Sequence, residues 1–351
     1  MNALIYEDMY DIANRWDDKC NWLNGKSILI TGASGMLASY LVYFCIYKNE
    51  YDNSSIQIYV TGRNKEKIIK RFGKYCDKKY FHIIITDLKK EISIDSKLDY
   101  IIHAASMASP QYYAINPVET LLPNTLGMYN LMELAKRKQV ESFLYFSSGD
   151  VYGKMDGSVE CISEEDSGYL NQKDGRRCYG GSKRMGENMC KAYFHEYAVK
   201  ANSVRIYHTY GPTMDIINDH RLFSEFVSNI VNNENIIMKS DGKAIRSFCY
   251  IADALDAFLR ILRYGSGGEA YNMCNNKERV TVKELAELLV SIFPEKDLKV
   301  ITQIRENNSN YLESPVKYVP FVSVKKLNDL GWNTRYSLKE GFYRTVQSFE
   351  C

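Results

Sequence analysis

The sequence predicts an α/β fold, a doubly wound parallel sheet with a smaller C-terminal lobe. Three observations predict it. Short β-branched runs alternate with helical patterns through the first ~190 residues, and parallel strands need such crossovers to reconnect. The first run is followed at once by a glycine turn. Beyond Gly211-Pro212 the alternation loosens into helices, loops and short strands.

Taken in order, the first ~24 residues read as an added amphipathic helix, with Tyr6, Met9, Ile12, Ala13 and Trp16 at helical spacing. That stripe suits packing or a dimer surface rather than chemistry. Lys26–Thr31 is the first strand. Ile56–Thr61, Phe81–Thr86, Tyr100–Ala104 and Phe143–Ser147 are further strands. Helical patterns lie between them, at Leu37–Lys48 and Thr125–Arg137. A helix over about Tyr179–Tyr197 leads to another strand, Asn202–Ile206. Later helices are expected at Leu222–Asn232 and Thr281–Phe293, whereas Ile301–Tyr318 is polar and irregular. The domain expectation is therefore a helical extension over 1–24 and a dinucleotide-binding domain over 25–206. A return segment near 245–275 rejoins that domain, and 207–351 forms mainly a substrate-binding lobe.

Bulk properties exclude several classes. Apolar residues make up 45% and charged residues 25%, and 45 basic against 43 acidic residues leave a net charge of +2. That balance offers no nucleic-acid or membrane surface. No apolar run reaches the ~18–20 residues that span a bilayer. The acidic N-terminus lacks the basic n-region of a secretion signal. Nine scattered cysteines with no CxxC pair argue for free thiols and a cytoplasmic setting, without a metal site.

Gly32-Ala-Ser-Gly35-Met36-Leu37-Ala38 stands directly after the first strand and opens a helix. Glycines there permit a tight turn and close approach to a pyrophosphate, whose charge meets a helix N-terminus. The fold is thus Rossmann-type, and the expected cofactor is a nicotinamide dinucleotide. The second strand ends Val60-Thr61-Gly62-Arg63-Asn64, without the carboxylate that holds the ribose of NAD. Arg63 could grip the 2′-phosphate of NADP; it equally reads as one more cation in a basic stretch. Asp87 and Leu88 are placed to meet the adenine edge. His103-Ala104-Ala105 supplies small residues beside the cofactor.

Tyr179-Gly-Gly-Ser-Lys183 sets a phenol and an ammonium at i and i+4 on one helix, facing the same way. The lysine is expected to lower the phenol's pKa, so that Tyr179 can take a hydroxyl proton near neutral pH. Ser148, at the end of a strand some 30 residues earlier in the chain, is the expected hydroxyl partner.

These stretches together resemble the extended short-chain dehydrogenase/reductases, and among them the nucleotide-sugar epimerase/dehydratase family. The carrying segments are Ala108-Ser109-Pro-Gln-Tyr-Tyr113 with Asn116-Pro117, and Asn124-Thr-Leu-Gly127. Cys178 to Arg184, Tyr207-His208-Thr-Tyr-Gly-Pro212, and Arg246-Ser-Phe-Cys-Tyr250 with Asp253 complete them. Within the family the sequence looks most like the UDP-glucuronate decarboxylases. The resemblance implies a redox-neutral cycle on the C4 hydroxyl of a UDP-linked nucleotide sugar, followed by decarboxylation, epimerisation or dehydration; a net NADPH-dependent reductase is the remaining alternative. It implies Tyr179, Lys183, Ser148 and Asp150 as catalytic residues. Gly32, Gly35, Met36, Leu37, Arg63, Asp87, Leu88, Ala104, Ala105 and Asn124 would join Tyr179 and Lys183 at NAD or NADP. Ser109, Tyr113, Ser148, His208 and Arg246 would meet the substrate, and a homodimer would form through a helix pair that includes the Tyr179 helix.

Four departures bear on the reaction. Gly149 lacks the acid of the 4,6-dehydratases, and Asp150 is one methylene shorter than the glutamate of the decarboxylases. His208 and Thr213 replace an asparagine and an arginine where substrate contacts are expected. Losing that arginine weakens the case for a glucuronate carboxylate.

Overall fold

The computed structural model describes residues 1–171, 173–219, 221–303 and 320–350. Its centre is a seven-stranded parallel sheet. The strands are β1 (Ser27–Thr31), β2 (Gln57–Gly62), β3 (Phe81–Ile85), β4 (Tyr100–His103), β5 (Ser142–Ser148), β6 (Ala201–Ile206) and β7 (Ala270–Met273). Their order across the sheet is β7-β6-β5-β4-β1-β2-β3. The order reverses at β1 and β4, and the crevice over their C-terminal ends is where open α/β sheets take ligands. β1 is buried along its whole length, which is why it reads as an unbroken β-branched run.

Helices cover both faces. One layer holds α2 (Met36–Tyr51) and α6 (Ile251–Tyr264). The other holds α3 (Pro117–Asn124), α4 (Leu126–Lys138) and α5 (Cys178–Tyr197). α2 is apolar on nearly every side, with Tyr40, Leu41, Tyr43, Phe44, Ile46 and Tyr47 all buried. A helix of that kind needs cover on both flanks. The sheet supplies one flank, and α1 (Ala3–Asn14) supplies the other.

α1 is fastened by buried charge. Asp8 is fully buried and accepts hydrogen bonds from Tyr40 on α2, Tyr250 (2.7 Å) and Arg344 (2.7 Å). Arg15 donates to Asp253 at 2.7 Å, and Trp16 Nε1 donates to Asp256 at 2.9 Å. Met9, Ile12, Ala13 and Trp16 are buried. The apolar stripe is therefore spent on the chain's own core.

The C-terminal part contributes β7 to the main sheet and otherwise forms short pairings. Ile236–Met238 pairs in parallel with Val300–Thr302, so Ile301 lies in a strand; residues 304–318 of the segment expected to be irregular lie outside the described residues. Ile245–Ser247 runs antiparallel to Arg279–Thr281. Cys249–Tyr250 pairs with Thr209–Tyr210, and the amide of Cys249 donates to the carbonyl of His208 at 2.8 Å. That pairing brings the Arg246 segment to the end of β6.

Candidate active site

The glycine turn sits at the C-terminal end of β1. Gly32 has φ +65°, and a Cβ there would lie 2.7 Å from the Cα of Ala105. Only glycine lets the turn and the β4 loop approach so closely. Gly35 is the N-cap of α2 and brings no side chain to the helix end. The first-turn amides at Met36 and Leu37 thus form the kind of helix terminus that receives a pyrophosphate.

His103 ties this region together. Its Nε2 lies 2.9 Å from the carbonyl of Pro123, which can only accept, so Nε2 carries the proton. Nδ1 then accepts from the Thr31 hydroxyl at 2.9 Å, and Thr31 Oγ1 accepts from the amides of Ala104 and Ala105, each at 3.2 Å. Burial, reinforced by Lys183, pushes the imidazole down to about 3, so it stays neutral.

Next to it lies the Tyr179 and Lys183 pair. Tyr179 and Lys183 are both buried on the first turns of α5. Lys183 Nζ donates to the carbonyl of Phe146 at 2.6 Å and lies 5.5 Å from the centre of the Tyr179 ring. Burial pushes the ammonium down to about 7, opposed by Glu187. The Ser148 hydroxyl stands beside the Tyr179 phenol and draws its pKa down. Burial and Asp150 hold that phenol well above its usual range, against Ser148 and Arg221. The expectation that Lys183 lowers the phenol is corrected here: Lys183 is itself desolvated, and the opposing cation is Arg221. The ring of Tyr113 stacks on Tyr179 at 5.3 Å and 9°. Ser109 starts that segment as the N-cap of Pro110–Ile115, and its carbonyl accepts from the amides of Tyr112 and Tyr113.

Asn124 is wholly buried. Its amide donates to Ser106 and Ser182, both at 3.1 Å, and Ser182 donates to the carbonyl of Tyr179 at 2.8 Å. Asn124 therefore ties the loop after β4 to the start of α5.

After β5 the chain turns through Gly149–Tyr152, with the Ser148 hydroxyl accepting from the Asp150 amide at 3.2 Å. Asp150 is reachable from solvent yet walled by protein on most sides, as on the floor of an open cleft. This desolvation raises its carboxyl pKa, and Arg177 opposes the rise. A Cβ on Gly180 would lie 2.7 Å from the carbonyl oxygen of Asp150, so the small residue after Tyr179 lets α5 press against this turn. A Cβ on Gly149 would lie 2.8 Å from the ring of Tyr207. The space of a side chain at 149 is already filled.

His208 lies in the same cleft. Its ring stacks on Phe248 at 5.5 Å. Desolvation, then Arg246 and Arg221, push it down to about 3, so it faces two arginines as a neutral group. Arg221 also forms an ion pair with Asp219 at 2.5 Å. Neither Arg221 nor Arg177 stands out in the sequence. Each follows a loop with no motif, and only the fold carries it to the cleft.

At the other end of the crevice, Asp87 accepts from the amide of Lys89 at 3.0 Å, and Leu88 is buried against α4. Arg63 extends from the end of β2 with its side chain 60% exposed, 3.8 Å from Glu119.

Comparison with known proteins agrees with this geometry. The model of the NAD dependent epimerase/dehydratase family matches residues 28–274. UDP-glucuronic acid decarboxylase 3 of Arabidopsis thaliana is 31% identical over 92% of this chain and 88% of its own length. The chain belongs to the NAD-dependent epimerase/dehydratase family. The solved UDP-glucose 4-epimerase of Thermotoga maritima superposes with a TM-score of 0.76 at 21% identity, covering 92% of this chain and 98% of the epimerase. The dTDP-glucose 4,6-dehydratase of Bacillus anthracis, solved with NAD, gives 0.71 at 19%, covering 93% and 97%. These two show the shared fold. As a family member the chain is a nucleotide-sugar-modifying enzyme that uses a nicotinamide dinucleotide.

Within the family frame one departure changes meaning. Thr213 is 1% exposed, and its hydroxyl donates to the carbonyl of Met36 at 3.0 Å. It braces the start of α2 and does not face substrate, which corrects the expectation placed on it. Among the described residues no helix is long and apolar enough to cross a membrane.

Proposed function

We propose that this enzyme oxidises the C4 hydroxyl of a UDP-linked sugar, UDP-glucuronate foremost, and releases carbon dioxide to leave a UDP-pentose. The observation that carries this reading is the convergence of Ser148, Tyr179 and Lys183 with a carboxyl group, Asp150, on one cleft. Ser148 and Tyr179 hold the C4 oxygen, and Tyr179 takes its proton. Arg221 and the Ser148 hydroxyl favour the phenolate that this transfer requires. A bound nicotinamide would accept a hydride from C4 and return it. The resulting 4-keto group draws electrons from the neighbouring carbons, so a carboxylate on C5 can leave as carbon dioxide. Arg246, Arg221 and His208 form the diphosphate side of the cleft, while Ser109 and Tyr113 close over the sugar. Gly32, Gly35, Met36 and Leu37 receive the cofactor's pyrophosphate. Asp87 and Leu88 meet its adenine, and Ala104 and Ala105 flank it over the Asn124 floor.

Residues 207–351, apart from α6 and β7, which return to the main sheet, serve mainly as the substrate lobe. Leu126 and Tyr129 on α4, with Met185, Phe194 and Tyr197 on α5, present exposed apolar side chains; we assign this face to a homodimer. The eight cysteines among the described residues are free, which suits a cytoplasmic enzyme.

The test is incubation with UDP-glucuronate, read by NMR and by trapping of carbon dioxide. Gas release with a pentose product is expected. Inversion at a ring carbon with every carbon retained would establish the second reading, an epimerase. Gly149 leaves Asp150 as the one carboxylate on the turn, which counts against water elimination.

A further inference from the structure

β1, β2 and β3 end side by side, with Thr31 opposite Thr61 and Gly62 opposite Ile85. The glycine turn, Arg63 and the Asp87–Lys89 segment therefore share one corner, where the adenosine ribose of a dinucleotide on this sheet would rest. The corner has an unusual charge plan. The end of β2 brings no carboxylate, and Asn64 is spent capping the next helix, accepting from the amide of Lys67 at 3.0 Å. Asp87 is held by Lys89, through both its amide and its ammonium at 3.2 Å. Glu119 reaches in from α3 and stands 3.8 Å from Arg63 and 3.7 Å from Lys89. Both contacts are longer than hydrogen bonds and lie between exposed groups, so they open at little cost.

We propose that the corner is built for the 2′-phosphate of NADP, and that Glu119 is the internal carboxylate which that phosphate displaces from Arg63 and Lys89. The proposal rests on the nicotinamide-dinucleotide reading of the site. Arg63 presents a planar fork of donors, suited to two phosphate oxygens, and Lys89 adds a second positive charge. A ribose diol asks instead for a fixed carboxylate acceptor. Here Asp87 is occupied, and Glu119 is shared between two cations. Displacing Glu119 leaves phosphate in its place, so the corner's charge balance survives the exchange. Either nucleotide serves a cycle in which the hydride is returned, so the established chemistry is unaffected by the choice.

Titration calorimetry on cofactor-stripped protein tests this with NADP and NAD at matched ionic strength. NADP is expected to bind tighter by about tenfold or more. Arg63→Ala should remove most of that preference while leaving NAD binding nearly unchanged. Glu119→Gln should act in the opposite sense, tightening NADP several-fold and leaving NAD alone, because a competing anion has gone. Added salt should weaken NADP more than NAD. NAD binding as tightly as NADP to the unaltered protein would overturn the proposal. So would Arg63→Ala weakening both equally, or Glu119→Gln loosening NADP. Binding of neither dinucleotide would sink the cofactor reading as well, whereas NAD alone would sink only this one. If stripping precipitates the protein, mass spectrometry of the nucleotide released from the holoenzyme decides between NADP and NAD.

Discussion

His103→Gln isolates the buried imidazole that organises the cofactor side of the cleft. The native ring is neutral, donating to the Pro123 carbonyl and accepting from Thr31, and its pKa is pushed down to about 3. In the unfolded chain the same ring titrates near 6.5. Between these values the unfolded state binds a proton that the folded state refuses. Stability from His103 is therefore fully present above about pH 6.5 and drains away as pH falls toward 3. Glutamine keeps a donor toward Pro123 and does not titrate. The stability difference between native protein and variant should therefore shrink by about 2–3 kcal/mol between pH 7 and 4.5, at about 1.36 kcal/mol per pH unit below 6.5. Urea unfolding of both proteins at each pH measures it, and the subtraction removes every other titrating group. The His103 network should not itself change dinucleotide affinity of the folded native protein over the same range, since the ring stays neutral and Thr31 keeps its hold on the Ala104 and Ala105 amides beside Gly32. A difference that stays constant with pH would mean the ring takes up its proton in place, and the reasoning would fail.

Three further outcomes follow from the same geometry. Tyr179→Phe should lower turnover by about 10²–10⁴-fold, the usual share of a positioned proton-transfer group, with a melting point close to native because the Tyr113 stack remains; full activity would remove Tyr179 from the chemistry. Gly32→Ala forces a methyl against Ala105 at φ +65°, so dinucleotide binding by calorimetry should be lost or severely weakened, and unchanged affinity would contradict the close approach. Arg15→Met leaves Asp253 buried without its cation, and denaturant unfolding should show a loss of about 3–5 kcal/mol; a loss below about 1 kcal/mol would mean that Asp253 is satisfied by the Arg335 and Tyr336 amides alone.

The parts of the site legible in the sequence are those whose signal is local. A strand followed by Gly32 and Gly35 specifies its own turn, because backbone conformation depends on neighbouring residues. Tyr179 and Lys183 share a helix face by spacing alone. Element ends agree within a few residues for the same reason: β-branched runs and helical periods are short-range properties.

What the sequence withheld concerns side chains that meet across long separations. Thr213 follows Gly-Pro in a position that promises a substrate contact, yet the turn points it inward to Met36. Gly149 looks like an empty place, but Tyr207 fills it from the neighbouring strand. Arg221 and Arg177 carry no motif, and they reach the cleft only through the loops that end beside it. The stripe on α1 reads as packing or as a dimer surface, and only the apolar outer flank of α2 decides for packing within the chain.

The sequence by itself therefore determined the fold and the cofactor class, and it set Tyr179 and Lys183 on one helix face, since each is written in contiguous residues whose conformation is set locally. The tertiary structure alone decided which charges stand together: Arg221 and Arg246 around a neutral His208, Arg177 against Asp150, and Glu119 between Arg63 and Lys89. Electrostatic pairing depends on distance through space and on exclusion of water, and neither quantity exists until the chain has folded.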